Sequence, residues 1–600
     1  MRVSVCKVYM VNNIFSMIAF SLYIHLVLTF TTVYGWSWEC NNYNGYCTRV
    51  ITQSTLTPTY PTLEVCKLLC GEKDHLNLWP YPTGSITSEK DILLINSQNI
   101  KFELQDTTTK TFLDDVVDYF RSNLNIDKSS PCQDSSNMII VLQSMSEDLS
   151  LTLDTDETYS LKTSTLDNEF RVEIIGNTVF GVRHGIETLL QLLVPYQKGD
   201  EVCLATLKSV QVYDKPVYRH RGLLLDSARN YLSVNTIRKN IDAMAASKMN
   251  VLHWHITDSQ SFPLEAPSLP NMTKYGAYTE KSIYTSTDVE ELVAYAKIRG
   301  VRILMEIDGP SHAGNGWQWG EQAGLGNLAV CVNQQPWRSF CIQPPCGQLN
   351  PANPNMYKVL QQLYGDIQQM VPNSGIFHMG GDEVFIACWN ATEEVLDYIK
   401  DKPRTEETFL DLWAEYQNKS VAVFDAAIGN DKTRIVVWTS HLTQPDVIQK
   451  YLPKERYIIQ TWVPDTDQDL ITSLIKLGYK VIISTKDKWY LDHGFWGSTS
   501  YYNWRAVYNN KMYSQLHQSV LGGEVCMWGE LVDDSNVESR VWPRAAAAAE
   551  RLWSNPQTTA RAAEGRFFSH RERLVKRGLK TEAEIPQWCV QNEGECSSYL

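Results

Sequence analysis

The segment His378-Met379-Gly380-Gly381-Asp382-Glu383 sets two carboxylates side by side after a short apolar run. Two glycines permit a tight backbone path, and adjacent residues on an extended segment project in different directions. Two chemical roles are therefore open to the pair. Burial beside apolar or aromatic groups would raise one carboxyl's pKa and make it a proton donor near neutral pH. The bland reading is a pair that only caps a helix. The surroundings decide between them.

Asp226 with Arg229, His253 and His255 with Asp258, and Asp308 with His312 each sit at or just after the end of an apolar run. So do Trp438, Trp462, Tyr490 with Asp492, and Trp528 with Glu530. The runs span 222–225, 251–256, 301–307, 376–379, 435–438, 457–460, 481–484 and 521–527. Helical spacing appears between most of them, at 236–248, 289–299, 356–370 and 465–477. Eight strands with intervening helices predict an α/β fold, a closed parallel (β/α)8 TIM barrel. An open doubly wound sheet is the alternative, but no Gly-rich phosphate fingerprint follows the first strand. In a barrel the strand C-termini converge on one face. Polar or aromatic residues after all eight runs then imply a single aromatic-walled polar pocket.

Five motifs carry a resemblance. Arg221-Gly-Leu-Leu-Leu-Asp226-Ser-Ala-Arg229, His253-Trp-His-Ile-Thr-Asp258, the His378–Glu383 segment, Trp528-Gly-Glu530, and Trp542-Pro-Arg544 with Glu550-Arg-Leu-Trp553 resemble glycoside hydrolase family twenty. The composition around 317–346 is most similar to the insect chitooligosaccharide-degrading branch. The resemblance implies a retaining exo-β-N-acetylhexosaminidase in which the substrate's own 2-acetamido oxygen attacks the anomeric carbon. Glu383 would be general acid and then base, Asp382 would orient the acetamide, and Tyr490 would donate to its oxygen. Trp438, Trp462 and Trp528 would wall the sugar, with Arg229, Asp492 and Glu530 reading its hydroxyls. Asp258 and His312 would support them, whereas His253 and His255 read equally well as satisfied core histidines. Trp337 and Trp504 are the candidates for the leaving-group side, Trp504 as an exposed stacking platform in Tyr501-Tyr-Asn-Trp504. The loop Cys341-Ile-Gln-Pro-Pro-Cys346 should border that cleft. Its Ile342-Gln343 replaces a Val-Glu common in the insect relatives, which leaves chitooligosaccharides and N-glycans as alternative substrates. Substitution of Asp382, Glu383 or Tyr490 would have indicated an inactive carbohydrate-binding protein; all three match. Relatives of this kind often form homodimers.

The 600 residues exceed what one core usually serves, so two folded units are expected. The boundaries read as a leader at 1–35, a small α/β domain at 36–215, the barrel at 216–575 and a disulfide-linked tail at 576–600. The small domain is predicted from short β-rich runs (92–94, 138–142, 169–175) and amphipathic stretches at 113–124 and 178–193. A basic start and an apolar run from about residue 14 to 30 describe a secretory signal, with an uncleaved anchor as the alternative. Secretion is the expected fate, and a lysosomal or membrane-anchored protein is the alternative. A net charge of −14 argues against nucleic acid as a partner.

Cys6 lies in the leader, and the remaining thirteen of fourteen cysteines suit an oxidising compartment. Disulfides are expected from Cys331, Cys388, Cys341, Cys346, Cys589 and Cys596. The pairing of Cys40, Cys47, Cys66, Cys70, Cys132 and Cys203 stays open, and Cys526 reads as the buried free thiol. No cysteine pair sits beside a suitable histidine pair, so no metal is expected, and no cofactor. Asn271, Asn390 and Asn418 begin glycosylation sequons.

Overall fold

The computed structural model describes residues 36–596 apart from 42–44, 51–57, 72–75, 106, 125–131, 133, 167–168, 199–200 and 373. The leader reading at 1–35 lies outside the described residues. Eight parallel strands close into a barrel: β1 (His220–Asp226), β2 (Val251–His255), β3 (Arg302–Glu306), β4 (Ile376–His378), β5 (Arg434–Trp438), β6 (Tyr457–Thr461), β7 (Lys480–Ile483) and β8 (Val520–Met527). Each overlaps the run read from the sequence. Helices follow most strands; after β5 they are the short 3-10 helix His441–Thr443 and the four-residue helix Ile448–Tyr451.

Strand side chains alternate between the two faces of a sheet. Leu223, Leu225, Leu252, Trp254, Ile435 and Val437 therefore face the helical shell and join the large core there. The other face fills the interior in layers. Val251, Leu304, Ile376, Val436, Ile458, Ile482 and Leu521 form the lowest. A polar layer of His253, His255, Glu306, His378, Gln460 and Glu524 follows, every member at most 1% exposed. Above it lie Leu224, Trp438, Tyr490 and Cys526, with Trp462 and Trp528 packed against them.

The preceding domain is a six-stranded mixed sheet whose core is shared with helices Lys110–Asn123 and Val179–Leu192. Thr178 caps the second helix by accepting from the Gly181 N–H. Its first strand, Ile86–Leu104, pairs with Glu201–Asp214 along one half and Ser136–Ser144 along the other. Leu153 of this domain enters the lowest barrel layer as a plug. A separate three-stranded sheet (Ser37–Asn41, Tyr46–Val50, Thr59–Tyr60) carries the disulfides Cys40–Cys70 and Cys47–Cys66. The C-terminal tail docks on that sheet: Thr48 bridges Asn592, and the Cys47 N–H donates to Glu593.

The other disulfides are Cys132–Cys203, Cys331–Cys388, Cys341–Cys346 and Cys589–Cys596, with Cys526 free and buried. Asn390 and Asn418 are exposed, and Asn271 is half-buried at the start of the helix Asn271–Gly276.

Candidate active site

The turn after β4 is fixed before any side chain acts. Gly380 and Gly381 have φ of +61° and +88°. A Cβ at Gly380 would fall 1.7 Å from Asp308 Oδ1, so no other residue fits there. The Gly381 N–H donates to that same Asp308 oxygen at 2.9 Å, and the Trp438 N–H donates to the Gly380 carbonyl. Ser311 Oγ donates to the Asp382 carbonyl, and the Phe385 N–H donates to Gln348 Oε1 at 2.9 Å. Glu383 itself has φ of +50°. Holding a side-chain-bearing residue there costs roughly 1–3 kcal/mol, which these bonds offset.

A charged chain runs to the pair from Arg229. Arg229 meets Asp226 Oδ2 at 3.0 Å and Asp258 Oδ2 at 2.6 Å. Asp258 Oδ2 also lies 3.1 Å from His312 Nδ1, and His312 Nε2 is 3.4 Å from Glu383 Oε2 and 3.9 Å from Asp382 Oδ2. Burial opposes a charge on Asp258, but Arg229 and His312 outweigh it and hold the carboxyl far below the usual range. His312 is likewise lifted well above its ordinary value, against burial, by Asp258.

The two carboxyls of the pair are thereby split. Burial, reinforced by the Glu383 charge, raises Asp382 to about 6. Burial also acts to raise Glu383, but its hydrogen bond to His312, the charge of His312 and Arg229 together outweigh that and lower it. The sequence reading raised the proton donor by burial alone. It could not see a cation placed against Glu383.

Aromatic walls surround this edge. Trp438 and Trp528 have ring centroids 5.9 Å apart, and Tyr490 lies 6.1 Å from Trp528. The Trp462 Nε1–H donates to the Thr439 carbonyl at 2.7 Å, and the Arg229 guanidinium stands 5.2 Å over the Trp528 ring. Asp492 is raised to about 7, chiefly by burial. Among the described residues, buried Asp382 Oδ1, Asp492 Oδ1 and Glu530 Oε2 have no hydrogen-bond partner. The loop closed by Cys341–Cys346 reaches the same place, where Gln343 Nε2 donates to Glu530 Oε1 at 3.0 Å and Gln343 Oε1 accepts from Arg229 at 3.4 Å.

Two outer aromatic readings fare differently. Trp504 is fully buried and stacks on Phe567 at 4.0 Å, so it belongs to the core and offers no platform. Its place in the helix Trp504–Asn509 turns the ring inward toward the helix Ala560–Lys576. Trp337 is half-buried, with the Arg338 guanidinium 4.2 Å over its ring. The sequence reading missed Trp496, 40% exposed, whose Nε1–H donates to Asp492 Oδ2 at 3.0 Å.

Glu306 and Glu524 were missed as well. Glu306 accepts from Trp438 Nε1 at 2.7 Å and lies 2.6 Å from His255 Nδ1 and 3.0 Å from His253 Nε2. Glu524 lies 2.7 Å from His253 Nδ1 and 2.9 Å from His220 Nε2. Burial works against charge on His253, yet both carboxylates outweigh it and lift the imidazole to about 9. The inward alternation of His253 and His255 was the available signal: two histidines on one buried face require acidic partners.

With this geometry in view, the chain can be set beside known proteins. The description "Glycosyl hydrolase family 20, catalytic domain" matches residues 218–556, more than half of the chain. The chain belongs to glycosyl hydrolase family 20. A second description, "beta-acetyl hexosaminidase like", matches residues 78–192. A chitooligosaccharidolytic beta-N-acetylglucosaminidase of Ostrinia furnacalis is 38% identical over 94% of this chain and 96% of its own. A beta-hexosaminidase subunit beta of Felis catus is 32% identical over 85% of this chain and 93% of its own. The family fold agrees too: the X-ray structure of Flavobacterium johnsoniae chitobiase superposes with a TM-score of 0.66 at 26% identity, covering 85% of this chain and 74% of that one.

Proposed function

We propose that this chain is a retaining exo-β-N-acetylhexosaminidase that removes terminal non-reducing β-linked N-acetylglucosamine from chitooligosaccharides by substrate-assisted catalysis. The observation that carries the reading is the buried, unpartnered Asp382 Oδ1 beside Glu383. An amide N–H is a donor of the kind that this oxygen lacks. Its neighbour can exchange a proton through a side chain that is 29% exposed.

In this reading Asp382, ionised above about pH 6, accepts from the acetamide N–H as positive charge grows there. The Tyr490 hydroxyl donates to the acetamide oxygen while that oxygen attacks the anomeric carbon. Glu383 gives its proton to the departing glycosidic oxygen, then takes one from the water that opens the oxazolinium-type intermediate. His312 holds Glu383 ionised in the open site. A sugar that displaces water from the exposed part of Glu383 raises its pKa toward that of a working acid. An intramolecular nucleophile removes roughly 7 kcal/mol or more of entropic cost when well oriented. That saving requires the snug walls that Trp438, Trp462 and Trp528 supply. Sugar hydroxyls complete Asp492 Oδ1 and Glu530 Oε2.

Release of nitrophenol from the N-acetyl-β-glucosaminide, with the β-glucoside as control, tests the mechanism. Fast hydrolysis of the former alone is expected; equal rates on both overturn it.

A second reading, trimming of glycoprotein N-glycans, is favoured by the burial of Trp504, which removes one expected support for a linear chain. Trp496 supplies another surface, so chitobiose should exceed a biantennary N-glycan in kcat/KM; the reverse order selects the second reading. An oxidising destination suits the six disulfides among the described residues, and no helix among those residues is long and apolar enough to cross a membrane.

A further inference from the structure

A cavity of about 130 Å³ lies away from the catalytic face, where the small domain, the three-stranded sheet's helix Leu63–Leu69, the last barrel helix and the tail meet. Leu63, Leu68, Leu124, Leu190, Leu204 and Val590 supply much of its wall. Four cations also line it, and three are matched. Lys67 meets Glu593 at 2.7 Å, Lys576 meets Glu64 at 2.5 Å, and Arg577 meets Glu187 at 2.7 Å. Of the two lining acids, Glu64 is thus engaged, and Glu572 pairs with Arg571 at 2.7 Å.

Arg573 is the exception. Its Nη1 donates to the Asn77 carbonyl at 3.2 Å. Its Nε and Nη2 are buried and meet no acceptor among the described residues. Burial, with Arg577 adding to it, lowers this guanidinium to about 9. A half-buried cation with two buried donors unfilled, in the wall of a leucine-rich hollow, is a costly arrangement that an anion would relieve.

We infer that the cavity is a binding site for a small amphipathic carboxylic acid, its carboxylate paired with Arg573 and its apolar part against the leucines. An apolar cavity of about 150 Å³ accepts benzene, so the apolar part is a single ring or a chain of about five carbons. A planar guanidinium offering two adjacent N–H groups matches a carboxylate's two oxygens. Because the walls come from the small domain, the helix Leu63–Leu69, the last barrel helix and the tail, such a ligand would also brace the small domain against the barrel.

Calorimetric titration of the full chain with hexanoate tests this, with hexan-1-ol as its uncharged counterpart. One hexanoate per chain is expected, bound at least about tenfold more tightly than the alcohol. Arg573→Gln should weaken hexanoate by a similar factor, and Val590→Trp should exclude it by filling the hollow. Neither should change turnover of the nitrophenyl glycoside. Equal binding of acid and alcohol overturns the assignment. So does hexanoate binding that survives Val590→Trp, a variant that remains informative if Arg573→Gln fails to fold. Displacement of hexanoate by N-acetylglucosamine would assign it to the catalytic pocket and likewise overturn the inference.

Discussion

Two buried ionic clusters occupy opposite ends of the barrel, and they are built on opposite principles. At the base, Lys248 donates to Tyr159 and Thr188 at 2.9 Å each and to Asp214 at 3.1 Å. Asp214 in turn accepts from Trp553 Nε1, the Thr83 N–H and Tyr159. That cluster is saturated. At the catalytic face, Asp382, Asp492 and Glu530 each keep a buried oxygen without a partner among the described residues. Buried polar groups are ordinarily satisfied. A saturated cluster joins two domains, whereas an incomplete one keeps polar atoms available to a substrate.

The sharpest way to break this contrast is to remove the incomplete end. Asp382→Asn should lower kcat about 10³-fold while leaving the fold intact. Burial raises the Asp382 carboxyl from 3.8 to about 6, so the folded protein holds that proton more tightly than the unfolded chain. Its contribution therefore makes unfolding easier as pH rises from about 4 to about 6, and the variant should lose that component of the pH–stability curve. An unchanged kcat in Asp382→Asn would remove the role assigned to it.

At the saturated end, Lys248→Met should destabilise by about 3–5 kcal/mol, because Asp214 would be left buried and uncompensated. Denaturant unfolding measures this, and kcat/KM of the folded fraction should not change. A loss of activity without loss of stability would dissolve the distinction between the two ends.

Tyr490→Phe comes next. A donor used mainly in the transition state costs about 10²-fold in kcat when removed, with KM little altered. A rise in KM alone would make Tyr490 a ground-state contact. Below it falls Gln343→Glu, which would put a carboxylate where Gln343 now donates to Glu530 at 3.0 Å. Like-charge repulsion should raise KM several-fold, and an unchanged KM would show that Glu530 does not need this donor.

The smallest expected effect belongs to the rim. Trp496→Ala should raise KM for chitooligosaccharides several-fold more than for the nitrophenyl glycoside, which feels only the lost indole donor to Asp492, consistent with loss of about 1 kcal/mol of stacking. Equal KM values for wild type and variant would leave the outer surface without a ring.

The eight strands, the motif residues at their ends and the presence of a small preceding domain were legible in the chain. Alternating apolar runs and their polar terminations are local properties, and closure into a barrel brings every such termination to one face. The burial of Trp504 was not legible, since helical placement decides whether an aromatic ring meets solvent or Phe567. Nor were Glu306 and Glu524, whose partners come from other strands. The order of the Asp382 and Glu383 pKa values was likewise set by His312, 71 positions upstream of Glu383. Residue type and spacing fixed that the strand-end motif residues reach the catalytic face. Only the folded chain, by bringing distant charges within a few ångströms where water no longer screens them, decided which of those groups holds a proton.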